Sequence, residues 1–295
     1  MISVSSLTQV YRNGKGVFDL TFTVEEGEVF GYLGPNGAGK TTTIRNLLGF
    51  MNANGGGATI MGKDCRARAA ELQNDIGYLP RGEIEFFENM TGIEFLTLIG
   101  DLRRMNATAR RDDLIDRFEL DPSGRINRMS KGMKQKLAVV TAFMHDPPVY
   151  ILDEPTSGLD PFMQNVFMNL LRSEKERGKT VLMSSHIFEE VQRICDRAGI
   201  IKEGRLVTVE DVQSLGEARQ KSYVVTLADS SDVTHLREAN VDLQPISEHR
   251  VIVTVRNNYR DLFRALARCD VQGLESRSES LEDVFMKYYG QERNA

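Results

Sequence analysis

The stretch Gly34-Pro35-Asn36-Gly37-Ala38-Gly39-Lys40-Thr41 decides the fold predicted for this chain. It fits the pattern G-x-x-x-x-G-K-S/T, and it lies between an apolar stretch, Val29 to Leu33, and a helical stretch, Thr42 to Phe50. Here glycines let backbone N–H groups converge on phosphates, and the helix N-terminus adds its positive end. The sequence therefore predicts a phosphate-binding loop in which Lys40 reaches the β- and γ-phosphates of a nucleoside triphosphate. We expect Thr41 to ligate Mg²⁺.

A second segment ends in two carboxylates. Residues Val149 to Leu152 are wholly apolar, which is typical of a strand buried on both faces of a parallel sheet, and Asp153 and Glu154 follow. Such sheets bind ligands at the carboxyl ends of their strands, so we expect both side chains beside the phosphate loop. Asp153 would hold Mg²⁺, directly or through water. Glu154 would accept a proton from the attacking water or orient it, although an isolated Asp-Glu pair is more often solvated charge.

Composition narrows the class of protein. The chain has 295 residues, 41% hydrophobic and 27% charged, which fits two unequal globular domains. Its longest apolar runs fall short of the roughly 20 residues that cross a bilayer, and its first residues lack a secretory signal. We therefore expect a cytoplasmic protein whose membrane link comes through a partner. A net charge of -5 argues against nucleic acid as the main ligand, and the three scattered cysteines indicate neither disulfides nor a zinc site.

The segment from Asp153 to Pro161, which reads Asp-Glu-Pro-Thr-Ser-Gly-Leu-Asp-Pro, resembles the Walker B motif and D-loop of the ATP-binding subunits of ABC transporters. The resemblance extends over roughly residues 1–215. It implies an α/β fold: a P-loop NTPase core of the ABC ATPase type with an antiparallel β subdomain and a helical subdomain. It also implies ATP as the nucleotide, contacts from Pro35, Asn36, Ala38 and Thr42 within the loop region, and a D-loop Asp160 that faces across a dimer.

Two further elements match the family in order. Tyr11 stands at the distance of the aromatic residue that stacks on adenine, although a lone Tyr in a strand is usually packing. Residues 129–133, Met-Ser-Lys-Gly-Met, resemble the signature motif but depart from Leu-Ser-Gly-Gly-Gln at three of five positions. Ser130 and Gly132 are kept. Ser130 could simply cap the helix that starts at Lys131; the resemblance implies instead that this helix end faces the γ-phosphate held by a second copy in a head-to-tail dimer.

His186 follows the strand Thr180 to Ser184 and resembles the switch histidine that contacts the γ-phosphate, although a histidine there is more often a core or loop residue. Arg81 departs from the family, which places Gln at this position as a ligand of Mg²⁺. A guanidinium has no acceptor and cannot ligate a cation. Either Glu83 takes over the metal contact, or water fills that position and Arg81 serves only the interface. Nearby phenylalanines could face a membrane partner or fill the helical subdomain: Phe86, Phe87 and Phe95.

Beyond the helical stretch expected over residues 209–218, the pattern changes to βαββαβ with one added helix, Leu281 to Tyr289. This order predicts a small C-terminal α+β domain of ferredoxin-like type. We expect residues 1–217 to form the nucleotide-binding domain and residues 218–295 to form an accessory domain. Its role could be dimer support, regulation or plain stabilisation. A flexible turn is expected over residues 52–57.

The whole pattern resembles the exporter ATPases of the ABC-2 type, such as those of drug and antibiotic self-resistance. The resemblance implies an ATPase that acts as a homodimer with separate transmembrane permease subunits, peripheral on the inner face of the membrane. A soluble ABC-type ATPase acting on ribosomes or nucleic acid is disfavoured, because the chain shows neither a second core nor a long coiled coil. A regulator that binds ATP without turnover is disfavoured by Glu154. The sequence leaves the transported substrate open.

Overall fold

The protein folds into two compact units, residues 1–212 and 213–295. The computed structural model describes residues 1–82, 89–212, 221–237, 241–255 and 259–277. The predicted boundary after residue 217 lies outside these described residues, as do Glu83, Phe86, Phe87 and the helix expected over residues 281–289.

The first unit contains both strands and helices. The strands are β1 (Ile2–Val10), β2 (Gly16–Val24), β3 (Val29–Leu33), β4 (Gly55–Ile60), β5 (Lys63–Asp64), β6 (Ile76–Leu79), β7 (Val149–Asp153), β8 (Thr180–Ser185), β9 (Arg197–Lys202) and β10 (Arg205–Asp211). The helices are α1 (Lys40–Leu47), α2 (Ala69–Leu72), α3 (Gly92–Leu102), α4 (Ala109–Arg117), α5 (Lys131–Phe143), α6 (Pro161–Glu176) and α7 (Phe188–Ile194).

The central sheet positions the candidate site. Its six strands run in the order β10-β9-β3-β8-β7-β6, and all neighbours are parallel except β10, which is antiparallel to β9. Every residue of β3, β7 and β8 is buried, so the prediction of a doubly covered strand from Val149 to Leu152 is confirmed. The carboxyl ends of these three strands lead into the phosphate loop, into Glu154 and into His186. The topology therefore gathers the three predicted segments at one edge.

A second sheet of the first unit is antiparallel, with strands in the order β2-β1-β4-β5. The flexible turn expected over residues 52–57 is shorter than predicted, because β4 already begins at Gly55 and pairs with β1. Gly56 has φ +64°, and a Cβ there would lie 2.1 Å from the carbonyl oxygen of Ser6. Glycine at this position thus permits a close strand contact where the register with β1 shifts.

Helices α3, α4 and α5 lie between β6 and β7 of the central sheet in chain order. Lys131–Phe143 forms α5 as predicted, with Ser130 at its N-cap. Thr91 and Glu94 form a capping box at the start of α3, and Phe95 in this helix is buried, which places it in the core of the helical region. Among the described residues no helix combines the length and apolar character needed to cross a membrane.

The predicted start of one helix, at Val209, is wrong. Residues 209–211 belong to strand β10, in which Val209 pairs with Gly199 of β9, and residues 213–218 lie outside the described residues. The stretch Leu206-Val207-Thr208-Val209 is rich in β-branched side chains, which favours a strand when a partner edge is available. Pairing with β9 outweighed the helical periodicity.

The second unit has the predicted βαββαβ order. Its elements are β11 (Lys221–Leu227), α8 (Val233–Arg237), β12 (Asp242–Ser247), β13 (Arg250–Val255), α9 (Tyr259–Leu266) and β14 (Val271–Arg277). The four strands form an antiparallel sheet in the order β12-β13-β11-β14, which is the ferredoxin-like arrangement. Its core is formed by buried residues that include Val225, Leu236, Val253 and Leu262.

Candidate functional site

The phosphate loop joins β3 to α1 through a backbone turn that requires glycine. Gly39 has φ +113°, and a Cβ there would lie 2.6 Å from Val17 Cγ1. Helix α1 starts immediately afterwards at Lys40, so its first free N–H groups face the loop. This arrangement can bind an anion through backbone donors and the positive end of the helix.

Lys40 lies over the loop with its ammonium group already engaged. Its Nζ donates to the carbonyl oxygens of Gly34 (2.6 Å) and Pro35 (3.2 Å), and it lies 3.3 Å from Glu154 Oε1. Only 4% of the side chain is exposed. Burial lowers the pKa of Lys40, and the nearby charges of Glu154 and Asp153 oppose this shift. The cation is thus held between the loop and the end of β7.

Asp153 accepts two hydrogen bonds from hydroxyl groups. Thr41 Oγ1 donates to Asp153 Oδ2 at 2.8 Å, and Ser184 Oγ donates to Asp153 Oδ1 at 2.6 Å. Ser184 also accepts a hydrogen bond from the backbone N–H of Glu154 at 3.0 Å. A carboxylate next to a hydroxyl supplies the oxygen ligands that Mg²⁺ prefers. No motif assigns this role to Ser184, and only its place at the end of the strand beside β7 could have indicated it.

Glu154 lies at the centre of the candidate site. Its side chain is 4% exposed; Oε2 lies 3.3 Å from His186 Nδ1, and Oε1 lies 3.3 Å from both Lys40 Nζ and Arg81 Nη1. Glu154 also has φ +49°, a left-handed backbone conformation that is uncommon outside glycine and is typical of functional sites. The structure therefore brings Lys40, Thr41, Asp153, Glu154 and His186 together.

Arg81 takes a position that neither sequence-based alternative included. Besides its contact with Glu154, its Nη2 donates to Asn36 Oδ1 of the phosphate loop at 3.3 Å. Its side chain is 43% exposed. The alternative that assigns the metal contact to Glu83 falls outside the described residues.

A pocket of about 250 Å³ opens over the phosphate loop. Tyr11 lies at this pocket, and its hydroxyl is 3.2 Å from Thr42 Oγ1. The turn between β1 and β2 also contributes Asn13 and Lys15, which the sequence did not single out, since a polar turn alone carries no signal for a ligand. The complete lining is Tyr11, Asn13, Lys15, Gly16, Gly37, Gly39, Lys40, Thr41, Thr42 and Arg81.

The predicted site residues Ser130, Gly132 and Asp160 do not line this pocket, and they lie at the starts of α5 and α6. Ser130 Oγ accepts a hydrogen bond from the N–H of Met133 at the start of α5, and Asp160 accepts one from the N–H of Met163 at the start of α6. Gly132 lies against Gly158, where an added Cβ would be 3.5 Å from the carbonyl oxygen.

Helix α5 is nevertheless tied to the segment that follows Glu154. Gln135 Nε2 donates to the carbonyl oxygen of Pro155 at 2.9 Å, and the side chain of Lys131 lies against Gly158. These contacts join the residues after β7 to the N-terminal part of α5.

Comparisons with known proteins agree with this geometry. A family model described as ABC transporter matches residues 17–157. The chain is 39% identical over 211 residues to the ABC transporter ATP-binding protein NatA of Bacillus subtilis, a match that covers 70% of this chain and 86% of that protein. It is 32% identical to the bacitracin transport ATP-binding protein BcrA of Bacillus licheniformis, and this match covers 98% of the chain and 97% of the relative.

A solved structure gives the same result for the fold. The ATP-binding subunit of an ABC transporter superposes with a TM-score of 0.67 at 31% sequence identity, over 73% of this chain and 91% of the other.

Proposed function

Because this chain belongs to the family of ABC transporter ATP-binding proteins, we propose that two copies bind ATP with Mg²⁺, close head to tail and drive separate transmembrane subunits. The chain is an ABC-type ATPase. The observation that carries the proposal is the meeting of the phosphate loop and the acidic strand end, where Lys40 and Glu154 lie 3.3 Å apart.

The loop residues and Asp153 have the chemistry to hold a magnesium-bound triphosphate. Backbone N–H groups between Gly34 and Thr41, together with the start of α1, would bind the phosphates, and Lys40 would bind the β- and γ-phosphates. Thr41 and Asp153 would ligate Mg²⁺, which supplies positive charge to the phosphate oxygens when bound. Tyr11, at the pocket on the loop, would stack on adenine.

Glu154 and His186 have the chemistry to support hydrolysis. Glu154 would orient the water that attacks the γ-phosphorus and accept its proton. His186 lies 3.3 Å from the carboxylate and would donate a hydrogen bond to the γ-phosphate.

The dimer is proposed because the side chains of Ser130 and Asp160 accept hydrogen bonds at the starts of their own helices and do not line the pocket over the phosphate loop. Ser130 and Gly132 lie at the N-terminus of α5, whose positive end, with Lys131 added, suits a phosphate. A head-to-tail pair would bring this helix end to the γ-phosphate held by the other copy. Asp160, at the start of α6, would then face the partner across the interface.

Export through separate membrane subunits is proposed from the relatives, one of which is named for bacitracin transport. The protein would act on the inner face of the membrane, in contact with a permease. We assign residues 1–217 to the nucleotide-binding domain and residues 218–295 to an accessory domain that supports the dimer.

The decisive experiment uses Glu154→Gln. This substitution keeps the shape of the side chain and removes its capacity to take a proton, so ATP should stay bound while turnover falls at least about 100-fold. With saturating ATP and Mg²⁺ the variant should elute as a stable dimer in size-exclusion chromatography. A variant that stays monomeric under these conditions contradicts the head-to-tail site. Glu176→Gln, an exposed change on α6, is the matched control.

A second substitution, added to Glu154→Gln, tests whether Ser130 acts in the site of the other copy. Asp caps helices about as well as Ser, so Ser130→Asp keeps α5 stable while it sets a negative charge at the helix end. At protein concentrations too low for either protein to dimerise, the variant with both changes should bind ATP as tightly as Glu154→Gln alone, and at higher concentrations it should remain monomeric. Weaker binding of ATP by the monomer would place Ser130 in the site of its own chain and contradict the proposal.

A further inference from the structure

We propose that Arg81 leaves Glu154 for the terminal phosphate when ATP binds, so that this side chain both recognises the γ-phosphate and frees the carboxylate for the attacking water. The inference rests on the proposed function, because it requires a nucleotide on the phosphate loop. It assigns to Arg81 a charge-assisted contact with phosphate that an uncharged glutamine at this position could not make.

Arg81 bridges the two halves of the site. One guanidinium nitrogen lies 3.3 Å from Glu154 Oε1, and the other donates to Asn36 Oδ1 at 3.3 Å. The same side chain lines the pocket over the phosphate loop together with Lys40 and Thr41. Arg81 therefore already lies within the space that a triphosphate would enter.

Two cations share a single carboxylate oxygen. Lys40 Nζ and Arg81 Nη1 are each 3.3 Å from Glu154 Oε1, which is buried and accepts no hydrogen bond of good geometry. A triphosphate carries more negative charge than one carboxylate and offers several acceptor oxygens. Both cations therefore gain by moving to the phosphates, and Glu154 is then released from both.

The two cations differ in what they can recognise. Lys40 is buried and anchored to the carbonyl groups of the loop, which suits it to the phosphates that the loop itself holds. Arg81 is nearly half exposed and approaches from the side of Glu154, where the γ-phosphate and its attacking water would lie. A guanidinium matches phosphate oxygens in a two-pronged contact that an ammonium cannot make. Arg81 should thus distinguish ATP from ADP.

The test compares affinities for ATP and ADP by isothermal titration calorimetry, with EDTA present so that Arg81 is measured without competition from Mg²⁺. In Arg81→Met the affinity for ATP should fall roughly tenfold or more, the loss of a charge-assisted hydrogen bond, while the affinity for ADP should change by less than about threefold. Arg81→Lys should retain part of the preference for ATP. Arg172→Met, which removes the same charge from the exposed face of α6, should behave as the wild type.

The possible outcomes distinguish a failure of the role given to Arg81 from a failure of the proposed function. Equal losses for ATP and ADP in Arg81→Met, or no loss for either, would overturn the role of Arg81 while leaving the proposed function intact. A wild-type chain that binds neither nucleotide, with or without Mg²⁺, would overturn the proposed function and this inference with it. Thermal denaturation of Arg81→Met checks that the half-exposed substitution leaves the fold unchanged.

Discussion

Thr41 Oγ1 donates a 2.8 Å hydrogen bond to Asp153 Oδ2 although the two residues are 112 positions apart in the chain. The contact joins the start of α1 to the end of β7, and Ser184 holds the other carboxylate oxygen from β8. Neighbouring strands of one parallel sheet thus converge on a single carboxylate. These hydrogen bonds orient the carboxylate of Asp153 before any ligand binds, so ion binding costs less conformational entropy.

Asp153→Asn tests whether this carboxylate holds Mg²⁺. The amide preserves the size of the side chain but removes its charge, and Mg²⁺ prefers carboxylate oxygens. Turnover should then require a concentration of free Mg²⁺ that is roughly tenfold higher or more, a loss of about 1.4 kcal/mol in metal binding. The measurement is ATPase rate against free Mg²⁺, with Asp116→Asn on the exposed face of α4 as control. An unchanged Mg²⁺ requirement would remove Asp153 from the metal site.

His145 is expected to make the stability of the protein depend on pH. Its Nε2 lies 3.2 Å from the carbonyl oxygen of Ile76 and 3.1 Å from Arg103 Nη1. Burial, and after it the charge of Arg103, lower the pKa of His145 from an ordinary value of 6.5 to about 4, while the hydrogen bond to Ile76 and the charge of Asp146 oppose the shift. Between these two values the unfolded chain binds more protons than the folded chain. Stability due to neutral His145 is therefore complete above pH 6.5 and is lost as the pH falls toward 4.

The measurement is the free energy of unfolding of the wild type and of His145→Gln, from urea titrations at about pH 7 and about pH 5. From the higher to the lower pH the wild type should lose up to about 2 kcal/mol more than the variant, which lacks the titrating ring. The comparison cancels the contributions of the other titratable groups. A difference between the two proteins that is the same at both pH values would show that His145 titrates normally.

Much of the fold follows from short local signals. The glycine loop, the apolar strand Val149 to Leu152 and the cap at Ser130 each determine their structure within a few residues, and the described elements match the prediction there. The helical periodicity of residues 209–211 misleads because periodicity carries no information about the free edge of β9, with which these residues pair. A local sequence pattern cannot predict tertiary strand pairing of this kind.

The site was only partly predictable for the same reason. Lys40 and Glu154 belong to motifs whose spacing carries their chemistry, and the structure places them together. Arg81 replaces the family's Gln with a side chain of different chemistry, and Ser184 belongs to no such motif. Their contacts with Glu154 and Asp153 arise because strands β6, β7 and β8 are neighbours in the sheet. Spacing along the sequence does not predict contacts between side chains that lie at the ends of three separate strands.

The central claim is that Lys40 and the acidic end of β7 act on one magnesium-bound triphosphate, and ATP binding and turnover by Lys40→Ala test it most directly. Loss of the buried ammonium removes a charge-assisted contact with the phosphates, so the affinity for both ATP and ADP should fall at least about tenfold and hydrolysis should be lost. Lys63→Ala, which removes a partly exposed ion pair with Asp75, should leave both quantities unchanged. A Lys40→Ala protein that binds and hydrolyses ATP like the wild type would contradict the account.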